Sequence, residues 1–62
     1  MPDKTQTIRK PLVLVAADDE NQRKMIWSVL ETFGFRMLAA EDGASAFDLV
    51  VKTAPDAVLL DL

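Results

Sequence analysis

Apolar residues fall along this chain in two patterns, unbroken runs and helical stripes. Leu12-Val13-Leu14-Val15-Ala16-Ala17 is an unbroken run with two β-branched members and no alternation. Such a run predicts a strand covered on both faces, as in a parallel sheet. Pro11 opens it, and Asp18 or Asp19 can cap a helix that follows from Glu20 to Phe33. In that helix Met25, Ile26, Val29, Leu30 and Phe33 recur at three- and four-residue spacing and predict one buried face, with Trp27 on its flank. Gly34 stands where a left-handed glycine would end the helix.

The pattern then repeats. Phe35 to Ala40 predicts a second strand, less apolar and therefore an edge strand. Asp42 is a candidate cap for a second helix from Ala44 to Thr53, whose predicted buried face is Ala46, Phe47, Val50, Val51 and Ala54. Pro55 stops that helix, and Ala57-Val58-Leu59-Leu60 predicts a third buried strand that ends at Asp61-Leu62. The fold class is thus α/β, in the order βαβαβ. Short crossovers make the strands parallel, most simply in order 2-1-3 with helices on both faces of the sheet. Residues 1–10 are polar and read as a flexible leader, with residues 11–62 as the folded unit.

Composition narrows the chemistry. Half of the 62 residues are apolar and 27% are charged, as in a globular domain, and the net charge of −3 argues against a nucleic-acid surface. There is neither cysteine nor histidine, so disulfides, zinc–imidazole sites and histidine bases are excluded. No apolar stretch reaches the length of a signal core or a membrane span, so a soluble cytoplasmic protein is expected. Carboxylates must carry whatever chemistry there is.

Three of them gather by topology. In an open α/β sheet, ligands bind beyond the carboxyl ends of the strands where the strand order reverses. With order 2-1-3, Asp18 and Asp19 leave the first strand there and Asp61 leaves the third. Adjacent strands lie about 4.8 Å apart, so these side chains can converge on one point. Convergent carboxylates repel one another unless a cation lies between them, and Mg2+ suits a few hard oxygen ligands with water completing its shell. Glu20 is read as a complement to the helix dipole, and Glu41, Asp42, Asp48 and Asp56 as cap, turn and surface residues.

The stretches "LVLVAADDE", "NQRKMIWSVLETFGF", "AAEDGASAFDLV" and "APDAVLLDL" together resemble the N-terminal half of a response-regulator receiver domain, the phosphoacceptor module of two-component signalling. The resemblance covers residues 12–62. It implies a truncated flavodoxin-like receiver fold, with Asp18 and Asp19 as the acidic pair that holds Mg2+. Asp61 is implied as both a metal ligand and the residue that accepts a phosphoryl group from a histidine kinase or phosphotransfer protein. The role implied is that of a phosphoacceptor regulator, not an enzyme. Family receivers are about twice as long and have five strands. Past the acceptor they carry a backbone carbonyl that ligates the metal, a later Thr or Ser, and a Lys, and none of these lies within this sequence. The switch is therefore expected to be incomplete in this chain.

Three strands would leave the third as an apolar open edge, which invites pairing with another chain. A fragment of a larger regulator, a homo-oligomer formed through that edge, or a partly molten unit are the expected alternatives. A different class of function is a small dimerising or partner-binding half-domain with a vestigial acidic site. A hydrolase with an Asp nucleophile fits less well, because no general acid–base or substrate pocket follows from the sequence.

Overall fold

A computed structural model describes residues 10–61 as five elements. They are β1 (Leu12–Ala17), α1 (Glu20–Thr32), β2 (Arg36–Ala40), α2 (Gly43–Thr53) and β3 (Ala57–Asp61). Apart from Lys10, the predicted leader lies outside the described residues, as does Leu62. The sheet is parallel, in order β2-β1-β3, which is the start of the flavodoxin-like order. β2 is an edge strand, as its weaker apolar content predicts.

The register runs Leu12↔Arg36 to Ala16↔Ala40 on one side of β1 and Val13↔Ala57 to Ala17↔Asp61 on the other. Both partners are tied to the beginning of β1. The Arg36 amide donates to the Pro11 carbonyl at 3.0 Å and its Nε to the Lys10 carbonyl at 3.1 Å. On the other side Asp56 makes a reciprocal pair with Leu12. Its amide donates to the Leu12 carbonyl at 2.8 Å, and its Oδ2 accepts from the Leu12 amide at 2.7 Å. Asp56 is thus a clasp between β1 and β3, a role the sequence pattern did not suggest.

The core is small. Leu14 and Ala16 on one face of β1 cluster with Ala40 and Ala46, and Leu38 and Leu49 pack against them. This is the α2 side. Val13, Val15 and Ala17 point to the opposite face because strand side chains alternate, and they too are buried; α1 packs against β1 and β2 there. The helices therefore lie on opposite faces, both over β1 and β2.

Three predicted burials are corrected. In α1 the sheet-facing side chains are Ile26, Trp27 and Leu30, whereas Met25, Val29 and Phe33 are exposed, Phe33 by 72%. The helix is rotated by about one residue from the predicted orientation, so Trp27 takes a place on the sheet side. In α2 only Ala46 is buried; Phe47, Val50, Val51 and Ala54 are exposed, and Leu49, which the predicted face omitted, packs on the core. The small Ala46 lets the helix approach the sheet, and its neighbour one turn on, Leu49, follows it. β3 is exposed along its whole length although its composition predicts a buried strand, because among the described elements only β1 packs against it and neither helix lies over it. The same exposure of Phe47, Val50 and Leu59 fits the expected open third strand.

Both helices begin at the expected aspartates. Phe33 is the C-cap of α1 rather than a helical residue, and Gly34 follows in the left-handed region at φ +83°, where a side chain would be strained. α2 ends at Ala54, which takes the left-handed conformation at φ 47° without being glycine, immediately before Pro55. No helix among the described residues is long and apolar enough to cross a membrane.

Candidate functional site

The carboxyl ends of β1 and β3 meet at one edge of the sheet. Ala17 pairs with Asp61, so Asp18, the next residue along, leaves β1 beside Asp61. Sheet register alone produces this neighbourhood. Asp61 shares a face with its partner Ala17, the face that α1 covers.

Each acidic residue has a distinct local role. Asp19 is the N-cap of α1: its backbone is extended and its Oδ1 accepts from the amides of Asn21 at 2.8 Å and Gln22 at 3.3 Å. This satisfies two of the donors that a helix start leaves free. Asp18 is exposed and makes no hydrogen bond among the described residues. Asp61 is exposed and accepts, at Oδ2, a hydrogen bond from the side-chain amide of Gln22. Glu20 pairs with Lys24 across one turn at 3.3 Å, an exposed contact of little energetic weight.

Arg23 adds positive charge to this edge. Its Nη1 donates to the Ala17 carbonyl at 2.7 Å, capping the last residue of β1. Arg23 and Gln22 are the two side chains at this edge that the sequence pattern did not point to. A signal for Gln22 was present: Asp19-x-x-Gln22 has the spacing of a capping box, in which the third residue reaches back to the cap. Here it reaches across to β3 instead.

All three candidate metal ligands are hard oxygen donors at the ends of two adjacent strands, the donor chemistry that Mg2+ prefers. As placed, however, they do not close on one point: among the described residues no three acidic side chains are gathered to hold a metal ion. Asp19 is turned to the helix start and Asp61 to Gln22, so the donors are correct in type and neighbourhood but not drawn together. One carboxylate elsewhere is electrostatically distinct. Asp42, the cap of α2, is held below its ordinary value of 3.8, chiefly by the Ser45 amide that donates to it at 2.8 Å.

Two surface depressions flank this edge, and neither is lined by Asp18, Asp19 or Asp61. One, of about 410 Å³, runs between α1 and β2 and is lined by Arg23, Trp27, Ser28 and Ala39 among others. The second, of about 360 Å³, lies between α2 and β3 and is almost wholly apolar, with Phe47, Val50, Val58 and Leu60 on its walls. Neither supplies the polar convergence expected of a small-molecule pocket at the acidic edge.

Comparison with known proteins gives the site a context. The chain is 37% identical over 54 residues to a probable transcriptional regulator, ycf27, of Galdieria sulphuraria, which covers 87% of this chain and 21% of that protein. It is 38% identical over 50 residues to the response regulator MprA of Mycobacterium sp. (strain KMS), covering 81% of this chain and 22% of the relative. The transcriptional regulatory protein YxdJ of Bacillus subtilis (strain 168) is 30% identical over 50 residues, again 81% of this chain and 22% of the relative. The chain thus spans about a fifth of the length of the curated relatives it matches. No family model matches, and no solved structure does.

Proposed function

Starting from a chain similar over some fifty residues to response regulators, with the fold of part of a receiver domain, we propose that it belongs to a phosphoacceptor module in which Asp61 takes the phosphoryl group. The observation that carries this reading is the register Ala17↔Asp61, which makes neighbours of the acids that end β1 and the acid that ends β3. The donor is a phosphohistidine on a histidine kinase or phosphotransfer protein, and the module works in the cytoplasm beside it.

In this reading a carboxylate oxygen of Asp61 forms the new bond to phosphorus while the phosphorus–nitrogen bond of the donor breaks. The imidazole leaves with the electron pair, so no acid–base residue of this chain is required. Asp18 and Asp19 would hold Mg2+ together with Asp61. The ion, when bound, supplies charge neutralisation between the carboxylate and the incoming phosphoryl oxygens. Asp19 keeps Oδ1 on the helix start throughout, and this fixes its position relative to the end of β1. Arg23, anchored on the Ala17 carbonyl, contributes a fixed positive charge to the same edge.

Intact mass after incubation with Mg2+ and a small phosphodonor tests the proposal. A gain of one phosphoryl group that needs Mg2+ and is lost in Asp61→Asn supports it. A gain retained in Asp61→Asn, or none in folded protein, removes Asp61 from the role of acceptor in this chain.

A second reading has its own observation. β3 is exposed over its whole length, and Val58, Leu59 and Leu60 leave an apolar edge strand without cover. Such an edge suits a module that pairs with another chain. Sedimentation of the wild-type chain against Leu60→Lys separates the two: an oligomer dissolved by the lysine favours the pairing module, and a monomer in both removes it.

A further inference from the structure

We propose that the apolar groove between α2 and β3 is a self-association face: two copies of this chain pack across a two-fold axis, each α2 lying in the groove of the other. The proposal goes beyond the acceptor reading and uses no carboxylate at the strand ends. It also differs from pairing along the free edge of β3, because side chains rather than backbone groups carry it.

The helix α2 has two apolar sides. Ala46 is buried, Leu49 packs on the core and Thr53 is half-buried, so one side is taken by the sheet. Phe47, Val50, Val51 and Ala54 form a second stripe at i, i+3, i+4 and i+7, and all four are exposed, Phe47 and Val51 each by 68%. β3 supplies a floor beside this stripe. Val58 pairs with Leu14 and Leu60 with Ala16, so register puts Val58 and Leu60 on the α2 side of the sheet, where no described helix lies over them. The groove between stripe and floor is lined by Gly43, Ala46, Phe47, Val50, Val58 and Leu60, without one charged side chain.

Three observations make a second copy the occupant. The first is self-complementarity. An apolar helix stripe is the shape that fills a groove between a helix and a strand, and this chain carries both beside each other, so a two-fold pair uses each half of the surface at once. The second is the placing of charge. Asp48 and Lys52, the two charged residues of α2, fall about 100–140° round the helix from Phe47, on the flank away from the groove, so pairing buries no charge. The third is area. Phe47, Val50, Val51, Val58 and Leu60 together expose on the order of 500 Å² per copy, about 1,000 Å² in a pair, which is the lower limit for a specific interface. Association is therefore weak and shows itself at high concentration. The exposed stripe of α1, with Met25, Val29 and Phe33, has no matching floor, since the depression beside that helix carries Glu20, Arg23 and Lys24.

The test is sedimentation velocity over a concentration series for wild type, Phe47→Glu, Val51→Glu and Val29→Glu, with circular dichroism to verify that each is folded. Every substituted residue is exposed and each variant adds one negative charge, so Val29→Glu controls for charge alone. Wild type and Val29→Glu should dimerise alike, while Phe47→Glu and Val51→Glu should each weaken the dimer by about tenfold or more. Either glutamate variant of α2 suffices if the other fails to fold. A wild type that stays monomeric at the highest concentration leaves the groove to another occupant and overturns the proposal. A dimer that persists in the α2 variants assigns association to the strand edge and overturns it too. An equal loss in Val29→Glu reduces the effect to net charge, with the same consequence.

Discussion

β1 and β3 are neighbouring strands of similar apolar character in opposite circumstances. Leu14 and Val58 pair in register, as do Val15 and Leu59, yet Leu14 and Val15 are wholly buried while Val58 and Leu59 are 38% and 42% exposed. The side chains do not account for the difference; their neighbours do. β1 has a strand on each side and a helix over each face, whereas β3 has one strand and no helix. An apolar run therefore predicts that a segment is extended, while its burial depends on what the rest of the fold brings to it. The functional corollary is that the candidate acceptor Asp61 ends the least supported strand, while the acids beside it are rooted at the end of the most supported one.

The sharpest way to break this contrast is at the centre of β1. Leu14→Ala should cost about 2–5 kcal/mol, the range for emptying a fully buried leucine site. In a domain with so few buried side chains, that should abolish a cooperative denaturant transition followed by circular dichroism. If Leu14→Ala unfolds as cooperatively as wild type, the core is not where the burial puts it. The clasp comes next. Asp56→Ala removes the acceptor for the Leu12 amide and should cost about 1–2 kcal/mol in the same denaturation experiment. It should also speed hydrogen exchange in β3 more than in β2, which is tied separately through Arg36.

Leu59→Ala sharpens the comparison from the other side. A leucine loses more apolar surface on truncation than a valine, yet this variant should cost under about 1 kcal/mol, less than Val15→Ala across the ladder. The reverse order would mean that β3 is covered in solution. The smallest effect is electrostatic and belongs to α2, which packs on β1 and β2 but not on β3. Because Asp42 titrates lower folded than unfolded, its contribution is present above its ordinary value of 3.8 and is lost as pH falls through the lower folded value. Acid unfolding of Asp42→Asn, which keeps the cap without the charge, should therefore be less steep in pH below that value. An unchanged acid profile would remove the cap's charge from the account.

Much of the scaffold was legible along the chain. The five elements, their order and both capping aspartates follow from runs, stripes and punctuating residues, because these are local properties. Strand order followed from the rule for short crossovers. The helix orientations were not legible. Met25, Val29 and Phe33 form a regular stripe that is as apolar as the one α1 actually buries, so periodicity alone could not choose between them. In α2 the bulky Phe47 and Val51 looked like core, but close approach through Ala46 brought Leu49 in instead. At the site, the neighbourhood of Asp18, Asp19 and Asp61 was legible because register follows from topology. Two features were not: the Gln22–Asp61 contact depends on a side-chain conformation across two elements, and the pair of hydrogen bonds between Asp56 and Leu12 depends on the exact start of β3.

The claim on which the rest depends is that β1 is supported and β3 is open. Residue-resolved hydrogen exchange of the chain in dilute solution tests it most directly. The account predicts that β1 amides exchange slowest, near the rate set by global unfolding, while the β3 amides that face away from β1 exchange almost as fast as a loop. Equal protection of β1 and of those outward amides of β3 would contradict it, showing that the third strand is covered in solution and that Asp61 stands on a different surface from the one described.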